Sequence, residues 1–342
     1  MKRLKYAIAL MTALGVAVAA FVAFDYQQFL NAPVDVADDG LVFEVRPGSS
    51  LTAVSNDLSE AGVIDNPAFF RLHAQLNDKS GSIQAGEYLI QPGMSPRDVL
   101  EQFTSGDVRL YAFTIIEGWN RWELLAALAA DPNLEATLTD EDWPAFLETL
   151  QAESTNPEGL FLPETYLFPR NTTDRNLLKD AYRAMQKALA EEWQNRSLDA
   201  AVTTPYEALI LASIIEKETA RVDERARISG VFTRRLNIGM RLQTDPTVIY
   251  GLEPGFNGNI TRRDLRTDTP YNTYRRGGLP PTPIAMPGQA AINAALNPAE
   301  GTELFFVATG LGDGSHKFSD TKEQHDEAVR EYLIRLRKGS GT

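Results

Sequence analysis

Nineteen consecutive residues, Tyr6 to Phe24, carry Thr12 as their only clearly polar side chain and follow directly on Lys2, Arg3 and Lys5. As a helix rising 1.5 Å per residue the run spans about 28 Å, close to the roughly 30 Å hydrocarbon thickness of a bilayer. A cleaved signal peptide has a shorter apolar core, of about 7–15 residues. An uncleaved anchor is therefore the expectation, although the small residues Ala17, Ala19, Ala20 and Ala23 keep cleavage open. Basic residues before the span and Asp25 after it place the N-terminus in the cytoplasm and the remaining 318 residues outside.

The 342 residues are 43% apolar and 23% charged, enough for two soluble domains of ordinary size. Without Lys2, Arg3 and Lys5 the exported part holds 30 basic and 46 acidic residues, a net charge of −16. Such a field repels a phosphate backbone, so no nucleic-acid partner is expected. The absence of cysteine excludes thiolate nucleophiles, Cys-ligated metals and disulfides, and it suits a bacterial envelope protein better than a eukaryotic secreted one. With only His73, His316 and His325 in the chain, most zinc sites and Ser-His-Asp schemes lack ligands. Carboxylate chemistry without metal or organic cofactor is the expectation.

The expected fold class is α+β in four segments. Residues 1–24 form the cytoplasmic tip and transmembrane helix, and the polar, acidic residues 25–40 a spacer. A β-rich run, a glycine turn and an amphipathic helix then recur, at Leu41–Val45, Gly86–Gln91 and Phe113–Ile116. Ser49 or Ser50 can cap a helix through Leu58, and Ser95-Pro96 supplies a cap and a first-turn proline. Residues 41–108 thus form a small α+β module, which by its pattern alone reads as a structural spacer domain. Residues 109–342 form a larger, mainly helical α+β domain, with amphipathic segments at Trp122–Ala130, Asp174–Trp193, Tyr206–Ala220 and Asp223–Leu236. Asp245-Pro246 opens a short helix through Tyr250. Residues 251–287, rich in Gly, Pro, Asn and Thr, make an irregular stretch of a length that marks a functional loop. A strand at Leu304–Thr309, a glycine turn, a strand at His316–Phe318 and a helix over Thr321–Leu336 close the chain.

The glycines 310, 312 and 314 follow a strand, but no helix opens behind them, so a hairpin turn is expected rather than a dinucleotide site. His316 and His325 lack a compact ligand spacing and are expected to be structural or superficial. Most of the basic cluster over Arg221–Arg241 is expected to coat a solvated helix face.

One helix is more informative. Leu211, Ile214 and Ile215 form an apolar stripe whose next member, seven residues from Leu211, is Glu218. Glu216 lies about 200° around the helix, on the side of Ala212, Thr219 and Asp223, where water is expected to reach it. A carboxyl on the buried stripe is held protonated near neutral pH and suits a general acid; the alternative is a buried ion pair with Arg234, Arg235 or Lys217. Asn156–Pro169 sets acids between prolines and aromatics outside any helical period, as a loop lining a sugar cleft would. Gln243–Thr247, Tyr271–Tyr274 and Gly278–Pro281 supply the amides, hydroxyls and flat rings that bind glycans, or plain turn chemistry.

At these residues the sequence resembles the YceG-like endolytic murein transglycosylases, the MltG family. The matching strings are EGLFLPETYLFP at Glu158–Pro169, ASIIEKETA at Ala212–Ala220, RLNIGMRLQTDPTVIYG at Arg235–Gly251, YNTY at Tyr271–Tyr274, GLPPTPI at Gly278–Ile284 and a PG-A-NP series ending at Pro298. The resemblance implies a transmembrane helix, a LysM-like module near residues 41–108, where the match is loose, and a catalytic domain that cuts peptidoglycan strands. By position it makes the second glutamate of EKETA, Glu218, the catalytic residue. It gives Gln243, Asp245, Asn272 and Tyr274 roles in positioning sugar or tuning Glu218, and Glu164 a supporting or substrate contact.

The resemblance also implies a reaction: the C6 hydroxyl of N-acetylmuramic acid attacks its own C1, leaving a 1,6-anhydro end, with Glu218 as acid and then base. Peptidoglycan strands are the implied substrate, and peptidoglycan synthases in the same inner membrane the candidate protein partners. The rivals are a lysozyme-like hydrolase using a second carboxylate such as Asp245, and a non-catalytic, membrane-tethered glycan-binding scaffold.

Overall fold

A computed structural model describes residues 2–339, which fall into two compact units: residues up to Tyr111 together with Leu167–Arg170, and the remainder.

In the first unit the early turns of α1 (Lys2–Asn31) carry large apolar side chains on the surface: Tyr6, Leu10 and Phe21 are each about 70% exposed. It is a helix long and apolar enough to cross a membrane. It also runs further than its apolar stretch. Residues 25–40 were expected to be irregular throughout, yet 25–31 continue the helix, because Phe29 and Leu30 bury in the unit's core while Tyr26 packs on it. The Tyr26 ring meets Phe69 edge-on at 5.5 Å and its hydroxyl lies 3.0 Å from His73 Nδ1, and Val34 N–H donates to the Met94 carbonyl at 2.7 Å.

Beyond it come β1 (Leu41–Val45), α2 (Leu51–Glu60), α3 (Pro67–Leu76), β2 (Gly86–Ile90) and α4 (Pro96–Ser105). β1 and β2 pair antiparallel with Phe43 opposite Tyr88, and Phe103 of α4 stacks on Phe43 at 5.7 Å. Ser50 caps α2, Ser95 and Asp98 form a reciprocal capping box on α4, and Gly106 ends α4 in the left-handed conformation. α3 was not expected, although Asn66 caps it and Pro67 stands in its first turn.

The second unit begins within β3 (Leu110–Thr114), followed by α5 (Arg121–Ala130), β4 (Leu134–Glu135), α6 (Trp143–Thr149), β5 (Thr165–Pro169), β6 (Thr172–Thr173) and α7 (Asp174–Gln194). α8 (Pro205–Glu218), α9 (Val222–Asn237), the short α10 (Asp245–Tyr250) and α11 (Gln289–Leu296) form its helical centre. There α11 packs on α7, α8 and α9, and the residues from Ala208 to Ile215 of α8 are all buried. The antiparallel pair β7 (Phe305–Ala308) and β8 (His316–Ser319) is covered by α12 (Lys322–Gly339). Residues 251–287 contain one 3₁₀ turn, Asp264–Arg266, and otherwise follow the expected irregular course.

The loop after α6 is held by backbone shape. Gly159 has φ +76°, and a Cβ there would lie 2.5 Å from Pro283 Cβ. Glycine therefore lets the strand-entry loop and the proline-rich loop touch.

Candidate active site

Thr204 and Pro205 start α8, and Thr219 ends it by turning extended, at φ −148° and ψ 134°. The helix was expected to reach Ala220; its earlier end makes Glu218 the last helical residue, leaving the buried row at a cavity rather than inside packing. That cavity, of about 460 Å³, is lined by Glu218, Gln243, Asp245, Tyr274, Arg235 and His316, with Phe305 and Phe306 of β7 as apolar wall. A larger concavity in the first unit, about 1040 Å³, runs along the end of α1 beside Val63 and Ile64. None of the candidate site residues lines it.

Thr244 Oγ1 donates a hydrogen bond to Glu218 Oε1. Burial pushes the Glu218 carboxyl up to about 7. The Thr244 hydrogen bond opposes that rise, the charge of Asp245 adds to it, and His316 and Arg235 pull it down. The result is a carboxyl that is largely protonated just below neutrality and that faces open space, the two properties a general acid needs.

Thr244 is itself fixed by a small hydroxyl network. Its N–H donates to Thr273 Oγ1 at 3.1 Å, its carbonyl accepts from Thr247 Oγ1 at 2.8 Å, and the Thr247 and Thr273 hydroxyls lie 2.8 Å apart. Gln243 takes a positive φ of +51° beside it. The Tyr274 hydroxyl donates to Asp245 Oδ1 at 2.6 Å, and burial, reinforced by that bond, pushes the phenol's proton affinity up. Arg235 donates from Nε to the Leu304 carbonyl at 2.6 Å and lies over the Phe305 ring at 5.2 Å.

Of the residues singled out from sequence, Glu218, Gln243, Asp245 and Tyr274 share the cavity. Asn272 lies beneath it, fully buried: its Nδ2 donates to the carbonyls of Asp264, Leu265 and Thr267 at 3.1, 3.2 and 2.6 Å, and its Oδ1 accepts from Tyr274 N–H at 2.9 Å. It ties the irregular loop to the turn bearing Tyr274. Glu164 is exposed and outside the cavity lining, with its carbonyl accepting from Ile115 N–H at 3.0 Å. The buried acid of its loop is Glu158, whose Oε2 accepts from Arg121 N–H at 3.0 Å and whose carboxyl burial pushes up to about 8.

Two expectations are corrected. Glu216 does not face water: its side chain is 5% exposed, pairs with Arg225 at 2.7 Å, and accepts from Gly288 N–H at 3.0 Å. Its partners come from α9 and the start of α11, which helix periodicity cannot register. The ion pair considered for Glu218 thus exists at Glu216, while Arg234, Arg235 and Lys217 donate to backbone carbonyls. The basic cluster is only partly a solvated face, since Arg225 and Arg235 are buried. Of the two roles expected for His316, structural or superficial, the structure favours the first: it is held by Glu224 and also lines the cavity. Glu224 was missed; Thr244 lay in the Gln243–Thr247 stretch singled out for its amides and hydroxyls, and Arg235 was considered only as an ion-pair partner of Glu218.

Comparison with known proteins places these observations. The YceG-like family matches residues 43–331. A Bacillus subtilis protein named endolytic murein transglycosylase is 32% identical, with 91% of this chain and 90% of the relative covered. A Streptococcus pneumoniae protein of the same name is 28% identical over 91% of this chain, which spans 62% of that longer relative. The 2.6 Å crystal structure of a YceG-like protein from Listeria monocytogenes, 28% identical, superposes with a TM-score of 0.54 over 85% of this chain and 99% of that one. The extent of the family match, the near full-length relative and the shared architecture together show that this chain belongs to the YceG-like family.

Proposed function

We propose that the protein is a membrane-anchored endolytic transglycosylase that cuts the β-1,4 bond between N-acetylmuramic acid and N-acetylglucosamine within peptidoglycan strands, leaving 1,6-anhydro ends. The relatives' name and the near full-length likeness to one of them support the activity. The observation that carries the chemistry is Glu218, a carboxyl lifted to about 7 by burial and facing a cavity. Protonated, it donates to the departing glycosidic oxygen. The attacking group is the sugar's own C6 hydroxyl, whose intramolecular reach replaces a bound water. The proton that hydroxyl loses passes to a base in the same cavity, and ionised Glu218 is one acceptor. Asp245, held by Tyr274, keeps Glu218 protonated by its charge, and the hydroxyl and amide groups around it suit sugar contacts.

In this proposal α1 is a single-pass anchor with its basic end in the cytoplasm, and the catalytic unit acts outside the inner membrane. Residues 41–108 serve as a LysM-like glycan grip without chemistry, supported by the β1-α2-α3-β2 order and the capped helices.

Asp245 lining the same cavity gives a second reading, a hydrolase in which it activates water. Incubating the full chain in detergent with isolated peptidoglycan and weighing the released fragments separates the two. Anhydro-muramic ends support the transglycosylase. Reducing ends alone would replace it with the hydrolase, and intact strands would leave only binding.

A further inference from the structure

His316 opens β8, opposite Ala308 in the hairpin, and lines the cavity that holds Glu218. Two hydrogen bonds fix it to α9: its backbone N–H donates to Glu224 Oε1 at 3.0 Å, and its Nδ1 lies 2.7 Å from Glu224 Oε2. The two side chains are 12 and 11% exposed, so this is not a loose surface pair. Phe306 meets the imidazole edge-on at 5.5 Å and restricts its tilt. A carboxylate opposite Nδ1 keeps a proton on that nitrogen, so the neutral ring carries its lone pair on Nε2. A buried acid orients a histidine base in this way in serine hydrolases.

We infer that His316, oriented by Glu224, is the base that accepts the C6-hydroxyl proton while Glu218 protonates the departing oxygen, an assignment that rests on the transglycosylase function proposed above. The C1–O4 bond breaks, its electron pair leaves with O4, and O4 takes the proton of Glu218. O6 bonds to C1 and gives its proton to His316 Nε2. One strand ends in the anhydro sugar and the other in a free 4-hydroxyl, and no water is consumed. The enzyme is left with a Glu218 carboxylate and a His316 imidazolium, opposite charges in one cavity that stabilise each other. Passage of the proton from His316 back to Glu218 restores the starting state.

The other charged or titratable groups on this cavity are Asp245, Arg235, Tyr274, Lys322, His325 and Tyr332. Behind Glu224, Arg221 approaches its carboxylate at 3.9 Å and also faces Asp313 at 3.9 Å. Of these, Asp245 is the one other carboxylate on the cavity, and it already accepts from Tyr274.

The test is the pH dependence of kcat/KM for the full chain in detergent on isolated peptidoglycan, between pH about 4.5 and 8.5. The wild type should show an alkaline limb, set by Glu218. His316→Ala should lose about 100-fold in rate, keep the alkaline limb, and regain rate in proportion to added imidazole. Glu224→Gln, which leaves the ring without its orienting carboxylate, should lower kcat with KM little changed. His316→Ala cleaving at the wild-type rate would overturn the inference. So would an inactive His316→Ala that imidazole does not rescue and whose melting temperature has fallen, since the ring would then be packing. Wild-type cleavage by Glu218→Gln would instead remove the proposed acid itself, a separate failure.

Discussion

Arg225 donates to Glu216 Oε1 at 2.7 Å, between side chains that are 7 and 5% exposed, two residues along α8 from Glu218, which forms no ion pair among the described residues. One turn of helix therefore presents two carboxyls with opposite fates. Glu216 is tied into packing by α9 and the Gly288 amide, while Glu218 is left at a cavity with a threonine as its hydrogen-bond partner. Replacing Glu216 by Gln leaves a buried guanidinium whose remaining acidic partner, Glu117 at 3.4 Å, is half exposed. The expected cost is roughly 3 kcal/mol of stability. Thermal unfolding should show a clearly lowered melting temperature, with cleavage retained in the cold; an unchanged melting temperature would contradict the pairing.

Glu218→Gln should behave in the opposite way. The folded-state affinity for the proton, about 7, lies above the ordinary 4.5. The wild type is then fully stable only below the lower value, loses stability as pH climbs between the two, and stays at the reduced level above the higher one. Gln carries no such dependence. Denaturation midpoints of the two proteins should draw apart across that interval, with the variant the more stable at alkaline pH. Curves that run parallel would show that the carboxyl is not perturbed.

Asp245 raises the proton affinity of Glu218 through its charge. Asp245→Asn should therefore shift the alkaline limb of the activity profile to lower pH while leaving substantial activity below it. Tyr274→Phe removes the 2.6 Å hydrogen bond but not the charge, and should shift the limb much less. Abolition of activity by Asp245→Asn at every pH would favour the water-activating role and a hydrolase.

Glu158 is fully buried and its carboxyl is pushed up to about 8 by that burial, with the Arg121 amide and Tyr250 hydrogen bonds opposing the rise. Glu158→Gln should match the wild type in urea below pH 4.5 and be more stable above pH 8. Equal midpoints at both ends would mean that the carboxylate finds compensation on ionising. Nothing in this residue's role requires substrate, so cleavage by the variant should persist.

What the sequence disclosed and withheld follows from the range of the interactions. The stripe Leu211, Ile214, Ile215 and Glu218 was legible because it is a local period, and β1, β2 and the capped starts of α2 and α4 because cap and turn chemistry lies within a few residues. The extension of α1 through Asn31 was missed, since Tyr26, Phe29 and Leu30 bury against residues far along the chain. The same holds for α11, whose alanine-rich QAAINAAL has little amphipathic contrast because α7, α8 and α9 surround it. Glu216 was misjudged, and the pairing of His316 went unseen, for one reason: their partners, Arg225 and Glu224, sit on a different helix, and each pairing exists only once α9 is packed. Asn272 was singled out for positioning sugar or tuning Glu218, but its side chain spends its hydrogen bonds on backbone.

The most direct measurement of the central claim, that Glu218 drives a cleavage without water, is the reaction run in ¹⁸O-water with wild type and Glu218→Gln side by side. The wild type should release anhydro-muramic ends carrying no solvent oxygen at C1, and the variant should fall by roughly two to four orders of magnitude while remaining folded. Heavy oxygen at C1 of the wild-type products, or a variant that cleaves at the wild-type rate, would contradict it.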